Sequence, residues 1–515
     1  MKNIIKPIAL LCISLLFTSC DKDFEEINTN PYALTDIDPA LLFSNAQRLS
    51  DPGFYEGEQT IVQQYMNAYN TGATAGFNFN EDNNNFNAPR WNNLYPGPVK
   101  LLEQIISMVK DDPERVNLYS QARIWRAYNY MTLVDTYGDI PYDEAGKAFL
   151  EAVFYPKYTD DQAVYDDLIK EVKEALAGFD PSKRLVREDL FFGNSASAGD
   201  QVAKWKKVGN SLLLRIGMRY SKVNPDKAKT LVQEAFSGGV MTSNEDNVFL
   251  QFNSIYNNQL NAGPRGVNPY FYYLAEPFVN YLKNNHDPRL KYIAGKYADP
   301  NQVLALTPDT TAANQFGFPV GFDQTSVLNY DQYRGPNGTG QNYSQLNFSV
   351  FGSATAPVFY ITNAQTNLLL AEAAVRGWIS GGMTAKDYYE KGVRAALDDF
   401  SKYPNTTSPA ISSAEADAYL AQPSVQYSDS RALEQINTQY WVLNFGNGTE
   451  AFANFRRSGF PTLQPNKYNN NLNGGFARRF AYPNEESARN SDNYLEAVSK
   501  LGQDDLSTRV FWDVQ

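Results

Sequence analysis

The sequence predicts a mainly α-helical protein, built from paired helices and interrupted by long irregular loops and a few short strands. Three observations carry that expectation. Apolar residues recur at three- and four-residue spacing through long windows, as in Val164, Leu168, Val172 and Leu176. The window 363–400 reads as two helices around a Gly-rich turn. Leu368, Leu369, Leu370, Ala371, Ala373 and Ala374 lie on the first, and Tyr388, Gly392, Ala395 and Ala396 on the second. Between 241 and 360 the period fades, and Asn, Gln, Gly, Pro and aromatic residues crowd the chain.

The first twenty residues set the compartment. Lys2 and Lys6 precede an apolar run from about Ile8 to Phe17, then Thr18, Ser19 and Cys20. A short basic segment, a short apolar core and small residues before a cut site make a secretory signal over 1–19. The run falls short of the ~18 residues that span a bilayer. A cysteine at the cut resembles the bacterial lipoprotein pattern, in which Cys20 is acylated and becomes the mature N-terminus; Phe17 stands where leucine is usual. Cys12 would leave with the signal, so the mature chain would hold no free thiol, which excludes disulfides, thiolate nucleophiles and Cys-bound zinc. The single histidine, His286 in Asn285-His286-Asp287-Pro288, reads as a turn residue and excludes multi-His metal sites and most Ser-His machinery. The formal charge of −12 becomes −14 once Lys2 and Lys6 are lost. Such a chain is a poor partner for nucleic acid, and anionic lipid would repel it, so attachment falls to acyl chains.

After an acidic tether (Asp21, Asp23, Glu25, Glu26), Asn30-Pro31 resists helix and reads as an extended arm. Helix is expected from about Pro39 to Leu49, and again over 58–69. Residues 70–90, with Phe77, Phe79, Phe86 and a run of asparagines, lack an apolar stripe and read as a long surface loop. Helices follow at about 98–110, 114–137, 161–178, 202–220 and 225–236. The second of these is stopped by Gly138 and Pro141. After the irregular stretch come 363–400, 430–443 and 485–501. Repeated helical hairpins of this kind are tetratricopeptide-like. No linker separates folded units, so residues 20–515 form a single domain. Its helical scaffold covers about 35–240 and 360–515, and its loop-rich face about 67–90 and 241–360.

At this point a resemblance covers most of the chain. Cys20 and Asn28-Thr29-Asn30-Pro31 are followed by Trp91-Asn92-Asn93-Leu94-Tyr95 and by Tyr137-Gly138-Asp139-Ile140-Pro141-Tyr142. Then come Lys204-Trp205 to Arg215, Ala371-Glu372-Ala373-Ala374-Val375-Arg376-Gly377, and Ile436-Asn437-Thr438-Gln439-Tyr440-Trp441. Phe455-Arg456-Arg457-Ser458-Gly459-Phe460-Pro461, Arg478-Arg479, Tyr482-Pro483 and Val510-Phe511-Trp512-Asp513 close the series. In this order the motifs resemble the SusD/RagB family of nutrient-binding outer-membrane lipoproteins of Bacteroidetes. Tyr440 stands for the family's usual lysine, and Phe511 for a common tryptophan. The resemblance implies a helical domain with a variable loop-rich face, lipid-anchored and facing the cell exterior. It also implies a SusC-like TonB-dependent transporter as partner. Arg456 and Arg457 read as structural, pairing with carboxylates and stacking on rings.

A sugar site needs flat rings plus amide and charged groups around them. Asn67, Tyr69, Asn70, Phe77, Phe79 and Asn80 in the first loop, and Arg265, Tyr330, Tyr333 and Arg334 in the second, are the candidates. Tyr270-Phe271-Tyr272-Tyr273 and Tyr343 also stand out. The expected function is non-catalytic capture of an oligosaccharide; a peptide cargo is a close variant, and a hydrolase using two carboxylates, such as Asp135 and Asp139, is the competing class. No cofactor is expected, save a structural calcium ion at a loop such as Asn244-Glu245-Asp246-Asn247. Replacing Cys20 by Ala is expected to leave a folded protein that no longer sediments with membranes. Persistence of the variant in outer-membrane fractions lacking the transporter would contradict the anchor.

Overall fold

The computed structural model describes residues 37–50, 57–72, 75–258 and 265–514. The signal, Cys20, the acidic tether and the Asn28–Pro31 arm lie outside these residues. Helix α1 (Pro39–Leu49) starts where expected, because Asp38 accepts from the Ala40 amide and Pro39 sits in the first turn. Helix α2 (Asn84–Leu94) is followed by α3 (Lys100–Val109) and the long α4 (Val116–Tyr137), which Gly138 ends at φ +81°. Then come α5 (Asp161–Gly178), α6 (Ala198–Arg219) and α7 (Pro225–Gly238), capped by Asp160, Ser197 and Asn224.

Helix α8 (Glu276–Asn284) lies within the irregular stretch, followed by a single helical turn at Leu290–Ile293. The hairpin α9 (Asn363–Val375) and α10 (Ala385–Asp398) opens both helices with capping boxes, Thr362 with Gln365 and Thr384 with Asp387. Last are α11 (Ser413–Leu420), α12 (Ala432–Leu443), α13 (Gly448–Ser458) and α14 (Ser491–Leu501). Helices α4 to α7 pack each on the next, α9 packs on α6, α10 and α12, and α12 packs on α13. Close approach is built into the sequence: a Cβ on Gly392 of α10 would lie 2.9 Å from Leu368 of α9. The scaffold is therefore a stack of helical hairpins, as the periodicity predicts. Short strands sit on it, the longest among the described residues being β1 (Tyr65–Asn67), β2 (Val248–Leu250), β3 (Tyr272–Leu274) and β4 (Val358–Ile361). They pair antiparallel as β1 with β3 and β2 with β4.

Two expectations are corrected. Only Glu58–Ile61 of the 58–69 window is helical; Gln63 turns into the left-handed region at φ +57°, and 65–67 bond to β3 instead. The expected surface loop 70–90 is neither wholly loop nor surface. Its end is α2, and Phe77, Asn78, Phe79 and Asn80 are buried. Tertiary contacts replace the missing stripe there: Trp91 of α2 meets Tyr137 edge-on at 5.2 Å and packs on Tyr482. Helices α8, α11 and α13 also lie where the sequence reads as loop.

The motif residues meet inside the scaffold. Arg457 of α13 grips the Glu372 carboxylate of α9 with two bonds of 2.7 Å, and Asn437 and Arg376 bond the same carboxylate. Arg219 of α6 bridges Asp135 of α4 at 3.1 Å and Glu450 of α13 at 2.6 Å. Trp512 donates to Asp135, and Tyr440 donates to Glu450 at 2.8 Å. Arg456 stacks on Phe452 and Trp512. Apart from half-buried Arg376 these side chains are buried, so each charge needs its partner. The Arg457 and Arg376 guanidiniums hold Glu372 at about 2 against the desolvation that opposes them, below the ordinary 4.5. Because the folded value is the lower one, this stabilisation is complete above about pH 4.5 and is lost as pH falls towards 2. Arg457→Met is expected to cost about 3–5 kcal/mol in urea unfolding, because it strands a buried carboxylate. It is also expected to move the start of acid unfolding to higher pH. A loss under about 1 kcal/mol would show the pair to be dispensable.

Candidate functional site

The loop-rich face is carried by its own small core, and the strand that leads into it is clasped to the helical scaffold. The Trp441 indole of α12 donates to the Val62 carbonyl at 3.0 Å, and the Gln64 amide returns a bond to the Trp441 carbonyl at 2.7 Å. Gln59 adds a bond to the Asn444 carbonyl. From this clasp β1 runs out against β3, with Met66 opposite Tyr273. Beneath the strands, Met66, Ala68, Tyr273, Ala275, Phe318, Val327 and Tyr343 form a cluster separate from the main core. Phe316, Phe322, Tyr330 and Tyr333 pack on its edge. Tyr273 stacks on Phe318 at 5.3 Å, and Tyr343 meets Phe318 edge-on at 5.1 Å. Its hydroxyl gives Tyr273 a polar handle as well: it donates to the Tyr270 carbonyl and accepts from the Gln341 amide.

Outside this support lies a run of accessible rings. Tyr69, 36% exposed, stacks on half-buried Phe271 at 4.7 Å with the planes 26° apart. Tyr270 leans on Phe271 at 4.4 Å. The stack is fixed from below, because the Ala68 amide donates to the Phe271 carbonyl at 2.7 Å. Nearby, Tyr333 donates to the Gln341 side chain at 2.5 Å, and Tyr330 to Glu276 at 2.9 Å. Burial and then the Glu276 bond push the Tyr330 phenol up to about 12, so it stays a neutral donor. Rings held in place with amides beside them suit the apolar face and hydroxyl rim of a sugar.

The candidates named from sequence divide accordingly. Tyr69, Tyr330, Tyr333 and the exposed Arg334 are at this face, Arg334 stacked 3.9 Å over Phe316. Arg265 is half-buried where the described chain resumes. Asn67, Asn70, Phe77, Phe79 and Asn80 are buried, and their groups serve the fold. Asn67 accepts from Tyr69, Asn70 and Asn80 bond each other, Phe77 meets Tyr272 edge-on, and Phe79 stacks on Phe480. Phe79 and Asn80 line a crevice of only about 20 Å³, room for one or two waters. Tyr270 and Phe271 stood in a conspicuous aromatic run but were not singled out; nothing local tells that Tyr273 turns inward while Phe271 does not.

Elsewhere the polar groups are spoken for. Asp135 accepts from Tyr165, Trp512 and Arg219 inside the main core, away from any cleft that would suit an acid/base pair. In the Asn244–Asp246 turn, where the sequence leaves room for a calcium ion, both Asp246 oxygens accept from Lys207, and the neighbouring Asn247 amide donates to Asp399. Among the described residues, Asp139, Asp160 and Asp161 bring carboxylate oxygens within 4.8 Å of one another, a set that could receive a hard cation. Burial pushes Asp139 up to about 6 and Asp161 to about 7, while the Asp161 and Phe511 amides already occupy one oxygen of each.

A family model described as "Starch-binding associating with outer membrane" matches residues 31–483. Among solved structures, a chitin-binding protein is 29% identical across 93% of this chain and 100% of its own, with a TM-score of 0.77. A Bacteroidetes AC2a SusD-like protein is 29% identical with the same coverage and a TM-score of 0.79. A chitin-binding SusD homologue from Flavobacterium johnsoniae, 23% identical over 92% of this chain and 98% of its own, shares the fold at a TM-score of 0.72. No curated protein matches the chain. No helix among the described residues is long and apolar enough to cross a membrane. With a family model spanning most of its length and the hairpin scaffold in place, the chain belongs to the SusD-like family.

Proposed function

We propose that this protein is a lipid-anchored outer-membrane protein, attached through Cys20, that captures an oligosaccharide at the cell exterior. It passes the sugar to a SusC-like TonB-dependent transporter without cleaving it. The observation that carries the reading is the accessible stack of Tyr69, Phe271 and Tyr270 on a rigid support. Two relatives of the same fold are described as chitin-binding, and the family as starch-binding, which favours glycan over peptide cargo.

The chemistry of the stack accounts for capture without turnover. Ring faces contribute about 0.5–1.5 kcal/mol each beyond buried area, enough for micromolar to millimolar binding when several act together. Such binding orients a sugar but polarises no glycosidic bond. Cleavage would need two carboxylates about 5–9.5 Å apart across the bond, one of them held protonated. Glu276, which faces Tyr330 at this site, has its carboxylate engaged by that hydroxyl.

Tyr69→Ala with Phe271→Ala is expected to weaken oligosaccharide binding, measured by titration calorimetry, by roughly tenfold or more. Helical circular dichroism should be preserved. Unchanged affinity for every glycan tested would remove the stack from the site. Incubation with chitin- and starch-derived oligosaccharides is expected to leave their chain lengths unaltered. Hydrolysis abolished by a single Asp or Glu substitution would instead establish an enzyme.

A further inference from the structure

On the edge of the small aromatic core that supports the ring stack, two cations lie against a single ring, Phe316. The Lys283 ammonium lies 4.0 Å and the Arg334 guanidinium 3.9 Å from the centre of Phe316. Among the described residues neither cation pairs with a carboxylate. Glu276, on the same helix as Lys283, is taken by Tyr330. Lys283 gives two of its three hydrogens to the carbonyls of Ala313 and Gln315, both at 3.0 Å, which leaves one donor and, among the described residues, no carboxylate counter-charge. Burial, and then repulsion from Arg334, push the Lys283 ammonium below its ordinary value.

Lys283 also lines an open groove of about 580 Å³, whose two carboxylates are both paired, Asp287 with Arg289 and Glu415 with Lys291. That volume falls in the usual range for small-ligand sites, about 300–1,000 Å³. Within the groove the contrast is direct. Lys291 is neutralised by Glu415 at 2.9 Å, whereas Lys283 has carbonyls and a ring but no carboxylate partner among the described residues. An incoming anion would relieve both the burial and the like-charge repulsion. The overall negative charge of the protein is no obstacle, since salt screens charges beyond about 8 Å and leaves the two near cations dominant.

We propose that the groove beside α8, together with Arg334 across the Phe316 ring, recognises a carboxylate or sulfate group on the bound oligosaccharide. The site selects acidic glycans over neutral ones. This inference rests on the glycan-binding reading above and adds a substrate class to it. The two anion sources share one chemistry: oxygens that accept charge-assisted bonds from an ammonium and a guanidinium.

The test is titration of the full mature chain with length-matched chito-oligosaccharide, oligogalacturonate and sulfated galactan oligosaccharide at low and high salt. The expected result is roughly tenfold tighter binding of at least one charged oligosaccharide at low salt, shrinking as salt rises. Whichever of uronate and sulfate binds tighter identifies the source. Lys283→Met with Arg334→Gln should abolish that preference, with affinity for the neutral oligosaccharide falling far less. Arg334→Gln alone serves if the double variant melts early, because Arg334 is exposed. Equal affinity for neutral and charged sugars, or a preference that the variants leave intact, overturns the inference while the glycan reading stands. Failure of every oligosaccharide to bind overturns both.

Discussion

The loop face depends on one reciprocal contact: Trp441 holding the backbone at Val62 while Gln64 holds the backbone at Trp441. Residues 62–64 have just left a single helical turn and would otherwise be free to continue in any direction. Two buried hydrogen bonds to one helix fix both position and heading, so that β1 emerges where β3 can pair with it. Such bonds contribute only about 1 kcal/mol each net, yet leaving either group buried and unmet would cost about 1–3 kcal/mol. The clasp is therefore strongly specified for its size. Tyr69, two residues past β1, inherits its placement.

The molecule divides its labour between two cores. The main core is helical, and its buried charges act as pins: Arg457 with Glu372, and Arg219 with Asp135 and Glu450, join helices from the beginning, middle and end of the chain. The second core is small and largely aromatic, and it supports loops rather than helices. Separating the two lets residues on the outer face vary without disturbing the scaffold. It also lets rings such as Tyr69 and Phe271 stay partly bare without loss of the order that binding needs.

What was legible in the sequence follows from which forces are local. Helices α4, α5, α6 and the α9–α10 hairpin announce themselves because one face of each repeats apolar residues at helical spacing. Helix α13 was hidden because its buried positions include Glu450, Asn454, Arg456 and Arg457, whose fitness for the interior comes from partners up to hundreds of residues away. Helix α2, Asn-rich and interrupted by Pro89, is likewise stabilised by Trp91 packing on distant rings. At the site, composition drew attention to the right loops, but not to which members face outward. Asn67 and Asn80 turn inward because their side chains complete a backbone network, Asn67 accepting from the Tyr69 amide and Asn80 donating to the Tyr468 carbonyl; Phe271 belongs to the single turn Pro269–Phe271 before β3, so the strand's alternation, which sends Tyr273 into the small core, does not govern it. The meeting of Lys283, Phe316 and Arg334 joins three separate segments, and no local pattern encodes it.

The central claim is that ligand binds on the loop face while the helical scaffold stays as it is. Amide hydrogen exchange of the mature chain, with and without saturating oligosaccharide, tests it most directly. Slowed exchange confined to residues 68–72, 270–274 and 330–343, with α4 to α6 unaltered, is the result the account requires. Protection centred on the helical stack, or none at all despite measured binding, would contradict it.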